Sequence, residues 1–232
     1  DSVIANRYPN PILDPENDLC RTYKDEEDGL MHFDVERLPN GNLLEQMKFG
    51  IIGLLQPERV LDILQHFIVF ERDNGKIIKK VARYQQLRAA NKIVERVTHT
   101  DKKQGVIWHT QGSGKSLSML YTAYKLRKAE ELDDPTIFIV VDRKGLKDQM
   151  GDTFFDCVFP NAHQVMSVGD LKSIIKDKPA GVFITTIQKF NELGSIVDDR
   201  GNVIVLIDEA HRTEYGDYQM ELQAVLPNAK RF

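Results

Sequence analysis

The alternation of apolar and polar residues is most regular from residue 105 onwards, where short apolar runs alternate with stretches of helical periodicity. The runs are rich in Val, Ile, Leu and Phe, as expected of strands buried on both faces, and they lie at 105–108, 136–142, 164–168, 182–185 and 203–207. Helices are predicted between them at 115–130, 145–154, 170–176 and 186–192. This order predicts a three-layer α/β domain with a mostly parallel sheet.

A helical segment is predicted upstream of this domain. Pro57 and Glu58 are typical of the first turn of a helix. The buried face of that helix is predicted to consist of Val60, Ile63, Leu64, Phe67 and Ile68. Residues 73–75, Asp-Asn-Gly, predict a turn, residues 77–81 a short strand or linker among basic residues, and residues 84–97 a second helix.

The first 40 residues have a different composition from the rest. They contain four prolines and the acidic run 25–28, and they hold ten acidic against four basic side chains, a net charge of −6. The whole chain has a net charge of −4, so the remaining residues carry a net charge of +2. The pattern predicts an irregular acidic lead-in. We divide the chain into this lead-in (1–50), the helical segment (51–98) and the α/β domain (99–232).

The overall composition is that of an ordinary globular chain, since 41% of the 232 residues are hydrophobic and 28% are charged. No apolar run reaches the length of a membrane span, and no secretory signal is visible. Cys20 and Cys157 lie far apart without metal-ligand spacing, so we interpret them as free thiols. Together these features predict a cytoplasmic location and no membrane partner.

The clearest candidate for chemistry is the stretch 105–116, in which a predicted strand, a glycine loop and a helix follow one another. Gly112 and Gly114 allow backbone N–H groups to curl around phosphate oxygens, and the positive end of the helix adds a further anion site. The Lys115 ammonium would reach the terminal phosphates of a nucleotide, and the Ser116 hydroxyl would ligate Mg²⁺. The stretch therefore predicts a phosphate-binding loop, with an ordinary glycine turn as the alternative.

A second candidate lies downstream, where the predicted strand 203–207 ends in Asp208-Glu209-Ala210-His211. Paired carboxylates at the end of a strand suit metal-dependent phosphoryl transfer. Asp208 would hold Mg²⁺ through water, and Glu209 would orient or deprotonate the attacking water. Together with the upstream glycine loop, this pair predicts a nucleoside triphosphatase.

These two motifs resemble motifs I and II of superfamily 2 helicases and translocases. From about residue 50 onwards the chain also resembles the motor (R, restriction) subunit of type I restriction endonucleases. This second resemblance is carried by Trp108-His-Thr-Gln-Gly-Ser-Gly-Lys-Ser116, Val141-Asp-Arg-Lys-Gly-Leu-Lys-Asp-Gln149, Thr185-Thr-Ile-Gln-Lys-Phe190 and Asp208-Glu-Ala-His-Arg-Thr-Glu-Tyr-Gly216. Two upstream stretches also fit, Gly53-Leu-Leu-Gln-Pro-Glu-Arg-Val-Leu-Asp62 and Arg83-Tyr-Gln-Gln-Leu-Arg-Ala89. His109 stands where the general loop pattern has glycine, but it fits the version found in this family.

The resemblance implies a RecA-like fold for the α/β domain, with ATP and Mg²⁺ as its cofactors. It implies nucleotide contacts from Gln111, Gly112, Ser113, Gly114, Lys115 and Ser116. Catalytic roles are implied for Lys115, Asp208 and Glu209, and metal-ligand roles for Ser116 and Asp208. Gln86 would read the adenine base, with Gln85 as the competing assignment.

The same resemblance implies contacts with the backbone of double-stranded DNA. They would be made by Arg143, Lys144 and Lys147 after the second parallel strand, and by Thr185 and Thr186 after the fourth. Such contacts would be independent of base sequence and sensitive to salt. His211 would couple the nucleotide site to the DNA face, or else serve as a structural histidine. In this family, partner specificity and methylation subunits choose the target sequence, and we expect the same here.

The family also has parts for which we find no counterpart in this sequence. They are a nuclease domain with an Asp…Glu-x-Lys metal site and a second RecA-like domain whose arginines complete the ATP site. The chain begins with Asp1 and stops at Phe232, shortly after Pro227 would end a helix, so we expect it to be part of a longer polypeptide. By itself it should bind nucleotide weakly and hydrolyse it poorly.

Two alternative functions stay open at the level of sequence. A superfamily 2 helicase that acts on RNA or in repair shares the tetrapeptide 208–211, and stimulation by RNA rather than duplex DNA would identify it. A nucleotide-binding docking module would show no turnover even with DNA present. A P-loop kinase is disfavoured, because it gives no reason for the segment 185–188 or for the Asp-Glu pair.

Overall fold

The computed structural model describes residues 22–24, 31–33, 56–73, 75–107, 113–142, 144–157, 159–194, 196–208 and 215–232. The chain divides into two compact units. The first unit comprises Asp1–Ile68 and Val81–Arg88, and the second comprises Val69–Lys80 and Ala89–Phe232.

The first unit contains two short strands in the predicted acidic lead-in. Strand β1 (Thr22–Lys24) pairs antiparallel with β2 (Met31–Phe33), so that Thr22 lies opposite Phe33. The sequence predicted irregular structure here, and the difference has a local reason. Residues that favour strands lie on both sides of the acidic run 25–28: Thr22 and Tyr23 precede it, and Phe33 follows it.

Helix α1 (Pro57–His66) begins at the predicted proline and carries Glu58 in its first turn. The predicted buried face is only partly correct. Ile63 and Phe67 are buried, whereas Leu64 is 60% exposed. The helix ends before Ile68 because Phe67 turns away as the C-cap, with its N–H still bonded to the Ile63 carbonyl at 2.9 Å.

Strands β3 (Ile68–Asp73) and β4 (Lys76–Val81) form a two-stranded sheet. The predicted turn between them is confirmed at Gly75, whose φ of 77° lies in the left-handed region. Helix α2 (Tyr84–His99) follows, two residues longer at its C-terminal end than predicted.

The second unit is built on a five-stranded sheet with the order β6-β7-β5-β8-β9. Its strands are β5 (Thr136–Val141), β6 (Ala162–Gln164), β7 (Gly181–Thr186), β8 (Val203–Ile207) and β9 (Lys230–Arg231). Every pairing in this sheet is parallel. The α/β class with a parallel, RecA-like sheet is therefore confirmed.

Helices cover both faces of the sheet because successive side chains of a strand point to opposite faces. These helices are α3 (Lys115–Arg127), α4 (Lys144–Asp156), α5 (Val168–Asp177), α6 (Gln188–Asn191) and α7 (Tyr215–Val225). On one face, Phe138 and Val140 of β5 pack in a cluster with Leu171 of α5, Phe190 of α6 and Leu222 of α7. The intervening residues of β5 are equally buried on the other face, where α4 packs against the strands and against α3.

Several predicted boundaries in this sheet are wrong. Residues 105–107 lie outside any strand, and only a bridge at Gln104 joins the sheet. The strand predicted at 164–168 occupies 162–164 instead, because Ser167 caps α5: its hydroxyl accepts the Asp170 N–H at 3.0 Å. Thr186 belongs to β7 rather than to the following helix.

None of the helices in the described part of the chain combines the length and the apolar character needed to cross a bilayer.

The loop before β8 is held by a buried carboxylate, Asp198, which is 1% exposed. The Arg200 guanidinium donates to it, with an Nη2–Oδ2 distance of 2.7 Å, and the Lys178 ammonium lies 3.7 Å from Oδ1. Arg200 also donates to the Thr136 hydroxyl at the start of β5, at 3.0 Å. Burial raises the pKa of Asp198, but the hydrogen bonds from Arg200 outweigh it and leave this pKa below its ordinary value. This cluster ties the loop to the amino edge of the sheet.

Replacing Asp198 with Asn is expected to lower the free energy of unfolding by about 2 kcal/mol, because it removes charge-assisted hydrogen bonds. Urea denaturation followed by circular dichroism measures the change. The matched control is Asp199→Asn, since that neighbouring carboxylate is 78% exposed; it should cost less than about 0.5 kcal/mol. Equal losses in the two variants would contradict the role given to Asp198.

The contribution of Asp198 should also depend on pH. Because its pKa is lowered in the folded chain, the stabilisation is complete above the ordinary Asp pKa of about 4 and is lost as pH falls through the lower folded value. The difference in unfolding free energy between the wild type and Asp198→Asn should be constant from about pH 5 to pH 7 and shrink below about pH 4. A difference that grew on acidification would have the wrong sign.

Candidate nucleotide-binding site

Several of the candidate site residues lie at the carboxyl edge of the sheet in the second unit. Parallel strands all end at the same edge, and ligands of open α/β sheets bind there. Asp208 directly follows β8, Thr185 and Thr186 end β7, and Lys144 begins the helix that follows β5. The topology therefore brings to one edge residues that are far apart in sequence.

The segment before the glycine loop is attached to the same sheet through β9. The Arg231 N–H donates to the Lys103 carbonyl at 2.7 Å, and the Gly105 N–H donates to the Arg231 carbonyl at 3.0 Å. Gln104 is thus the parallel partner of Arg231, which in turn pairs with Val205 of β8. A side chain at position 105 would collide with the Phe232 ring, since a Cβ there would lie 2.7 Å from it.

This register sets the level at which the two predicted motifs begin. Val205, Arg231 and Gln104 lie side by side, and the three segments that contain them run in the same direction. Three residues after Val205, β8 is followed by Asp208, and three residues after Gln104 comes Ile107, just before the glycine loop. Strand β9 lies between these two segments, and two strand spacings amount to about 10 Å. A magnesium nucleotide can span such a gap.

The described end of the glycine loop has the backbone conformation that its glycine permits. Gly114 is the N-cap of α3 with φ 83° and ψ 49°, in the left-handed region, and no side chain caps this helix. Its carbonyl accepts the Ser118 N–H at 3.0 Å, which is the first bond of the helix. A 13-residue helix therefore begins at Lys115 without a side-chain cap, as expected of a helix whose first turn receives an anion.

Within this loop, Ser113 is buried, and Lys115 and Ser116 are half-buried at the start of α3. Gln111 and Gly112 lie outside the described residues. The described part of the loop agrees with the predicted strand, loop and helix order, except that the segment before the loop forms a single bridge instead of a strand.

Asp208 is partly buried at the carboxyl end of β8. Its backbone N–H donates to the Val140 carbonyl of β5 at 2.9 Å, which holds the residue beside the sheet after the regular strand has ended. Glu209 and His211 lie outside the described residues, so the predicted roles of these two side chains stay predictions.

In the first unit, the structure distinguishes the two candidate glutamines by burial. Gln86 is 2% exposed, whereas Gln85 is exposed. The Gln86 side-chain oxygen accepts the Arg83 N–H at 2.8 Å, three residues earlier, which is one half of a capping box at the start of α2. Sequence reasoning missed this capping role, although a glutamine three residues after a helix start is a known signal for it. The adenine-reading role of Gln86 stays a prediction.

The predicted DNA-contacting residues differ in exposure. Lys147 is 7% exposed, and its ammonium lies 3.7 Å from the Asp148 carboxylate. Thr185 and Thr186 are buried at the end of β7. Arg143 and the side chain of Lys144 lie outside the described residues. Direct contact between DNA and the two threonines or Lys147 would require these side chains to become exposed when DNA binds.

Sequence reasoning also missed the role of Gln188. Its side-chain amide donates to the Asp142 carbonyl at 2.7 Å, and the Ile187 N–H donates to the Val141 carbonyl at 3.0 Å. Together they tie the end of β5 to the start of α6. Residues 185–190 are among those that carry the resemblance to type I restriction motor subunits. Nothing in their pattern, however, indicates which residue the Gln188 side chain bonds.

The donor set at this edge fits Mg²⁺ bound together with a nucleotide. Ser116 supplies a hydroxyl oxygen and Asp208 a carboxylate, both hard ligands of the kind that Mg²⁺ prefers. Mg²⁺ is usually held by one or two such groups together with phosphate oxygens and water. The chemistry of these two residues therefore suits a metal that arrives with a triphosphate.

A family model described as SWI2/SNF2 ATPase matches residues 85–232. Relatives include the type I restriction enzyme HindI endonuclease subunit of Haemophilus influenzae, 38% identical over 95% of this chain and 22% of that protein. The MjaIXP protein of Methanocaldococcus jannaschii, named for the same class of enzyme subunit, is 31% identical over 97% of this chain and 23% of that protein. The chain thus spans less than a quarter of the length of these two relatives.

Among solved structures, the UvsW helicase from bacteriophage T4 aligns with 87% of this chain and 72% of that chain. The TM-score is 0.48 and the sequence identity is 20%.

Replacing Gly114 with Ala is expected to weaken binding of an adenine nucleotide about tenfold or more, because the change strains the residue that opens α3. The matched control is Gly194→Ala. Gly194 has a similar φ of 72°, and a Cβ there would meet nothing within 4 Å. Both variants should lose about 1 kcal/mol of folding stability, but only Gly114→Ala should lose nucleotide affinity. Titration with a fluorescent ATP analogue measures the affinity; an equal effect of the two variants on binding would contradict the assignment of the loop.

Proposed function

Because this chain belongs to the SWI2/SNF2 ATPase family, we propose that it forms the ATP-binding half of an ATP-dependent motor that translocates double-stranded DNA. The observation that carries the proposal is the parallel attachment of Gln104 to β9. It supports the proposal because the segment that leads to the glycine loop runs parallel to the strands of the sheet, so that both motifs would lie at the same edge and one magnesium nucleotide could contact them.

The proposed chemistry divides between the two motifs. Residues 111–116 cradle the triphosphate, Lys115 neutralises charge on its terminal phosphates, and Ser116 ligates Mg²⁺. Asp208 holds the same ion through water, and Glu209 orients or deprotonates the attacking water. Mg²⁺ itself supplies stabilisation of the charge that develops during phosphoryl transfer. The chain's own contribution is positioning, because phosphoryl transfer needs little covalent chemistry from the protein.

The restriction-enzyme relatives suggest the setting in which this motor acts. Two relatives are named as endonuclease subunits of type I restriction enzymes. We propose that this chain forms part of the motor of such a subunit, and that the subunit assembles with specificity and methylation subunits. The arginines that complete the ATP site would come from a second RecA-like domain, and cleavage from a nuclease domain.

Within this proposal, residues 99–232 form the first motor domain, 51–98 the helical segment that carries the adenine-side Gln86, and 1–50 the lead-in. Contacts with the DNA backbone are assigned to residues at or after the ends of β5 and β7, namely Arg143, Lys144, Lys147, Thr185 and Thr186. His211 would couple these positions to the nucleotide site.

Replacing Lys115 with Ala should weaken ATP binding to this chain about 10- to 100-fold, because a charge-assisted bond to phosphate is worth about 1.5–3 kcal/mol. Fluorescence titration with an ATP analogue measures the effect. Lys176→Ala provides the control, since Lys176 is an exposed lysine on α5, a helix on the opposite face of the sheet from α4. If the Lys115 variant bound ATP as tightly as the parent chain, the proposed site would be refuted.

Replacing Asp208 with Asn separates the metal from the nucleotide. In the presence of a chelator, the variant should bind ATP as the parent does, because Asp208 holds the ion rather than the phosphates. On addition of Mg²⁺ the parent should gain affinity and the variant should gain about tenfold less. The variant keeps the backbone bond from residue 208 to Val140, so folding should be unaffected. The same Mg²⁺ response in both proteins would remove Asp208 from the site.

A further inference from the structure

The hairpin formed by β3 and β4, which we call the basic hairpin, leaves much of its surface open to solvent. In β4, Lys76, Ile77, Ile78 and Lys79 are all exposed, without the alternation expected of a strand packed on one face. Ile77 is 72% exposed, and Phe70 in β3 is 54% exposed. Neither face of this part of β4 is therefore covered within the described part of the chain.

The basic hairpin holds four basic residues against the two acidic residues Glu71 and Asp73, so its net charge is +2. Lys80 forms an ion pair with Glu71, so these two charges offset each other. Arg72, Lys76 and Lys79 are exposed, and no other described residue forms an ion pair with them. Three cations thus lie within a short two-stranded ribbon beside exposed apolar side chains. Such a surface attracts a polyanion, because each cation that meets a phosphate releases a condensed counterion.

The base of the basic hairpin contacts the helix that begins at the glycine loop. The Tyr121 hydroxyl of α3 donates to the Lys80 carbonyl at 3.4 Å, and Tyr121 is fully buried. Cys157, which follows the last residue of α4, lies near the Glu71–Lys80 pair. Burial is the main cause that raises the pKa of its thiol to about 11, and the charges of Glu71 and Lys80 also affect this pKa. The hairpin is therefore joined to the same unit as the nucleotide site.

We propose that the basic hairpin is a contact surface for the phosphate backbone of duplex DNA, held by Arg72, Lys76 and Lys79. The inference rests on the proposed function, which supplies duplex DNA as the polyanion. It adds a DNA contact upstream of α3, separate from the strand-end positions 143–147 and 185–186. Those positions include buried side chains, whereas the cations of the basic hairpin are exposed without any rearrangement.

The experiment compares Lys76→Gln/Lys79→Gln with the parent chain in binding to a fluorescein-labelled duplex across a salt series. Two lost phosphate contacts should reduce the slope of log affinity against log salt by about 2 units and the affinity at about 100 mM salt about tenfold or more. Two duplexes of unrelated sequence should show the same loss, because phosphates carry no sequence information. The matched control is Lys172→Gln/Lys176→Gln on α5, which removes the same charge and should leave both quantities unchanged.

An unchanged slope and affinity in the hairpin variant would overturn the proposal, as would an absence of duplex binding by the parent chain. Neither result bears on the proposed ATP site, which is tested separately by the loss of nucleotide binding in Lys115→Ala. The acidic lead-in is the competing occupant of this surface. In that case the hairpin variant would melt at a lower temperature without DNA and keep its affinity for the duplex, and DNA would be excluded as the ligand.

Discussion

The parallel pairing between Gln104 and Arg231 is the contact on which the position of the candidate site depends. It attaches the segment before the glycine loop to β9, and through β9 to β8, which ends at Asp208. Parallel pairing sends both chains to the same edge of the sheet, whereas antiparallel pairing would send them to opposite edges. A Cβ at position 105 would lie 2.7 Å from the Phe232 ring, so any larger residue there would require a shift. This register is the basis on which we place the proposed phosphate site.

Strand β9 illustrates why part of this arrangement could not be predicted from the sequence. It consists of Lys230 and Arg231, two charged residues that no hydrophobic pattern would assign to a strand of this sheet. Lys230 is accommodated because its ammonium donates to the Val97 and Thr100 carbonyls at the end of α2. Such a partner comes from a distant part of the chain, and only the tertiary structure reveals it. Within the described residues of the predicted strand 105–108, none belongs to a strand, and the preceding Gln104 forms a bridge with Arg231.

The parts that could be predicted are those in which local pattern and tertiary environment agree. Strand β8 has the predicted bounds because Val203–Ile207 is a continuous apolar run, nearly all of it buried. Helix α3 begins at Lys115 as predicted, because the glycine before it breaks regular structure. The prediction failed where one side chain serves a local bond, as Ser167 does in capping α5. Burial of the polar residues Lys147 and Thr185 likewise depends on neighbours that the sequence pattern does not identify.

The two ends of the sheet serve different purposes in this account. At the amino edge, the Asp198–Arg200 pair fixes a loop through buried charge, which is a contribution to stability. At the start of α3, Gly114 is the N-cap and no side chain caps the helix, which suits the binding of an anion there. The Lys80 carbonyl of the basic hairpin accepts a hydrogen bond from the Tyr121 hydroxyl of α3. The hairpin therefore contacts the helix whose first turn carries Lys115.

The most direct test of the central claim is a structure of this chain with Mg²⁺ and a non-hydrolysable ATP analogue. The account predicts one magnesium ion that bonds the Ser116 hydroxyl at about 2.1 Å and contacts the Asp208 carboxylate through one water, at about 4 Å. A nucleotide bound at α3 with its metal beyond the reach of Asp208 would contradict the convergence of the two motifs on one site.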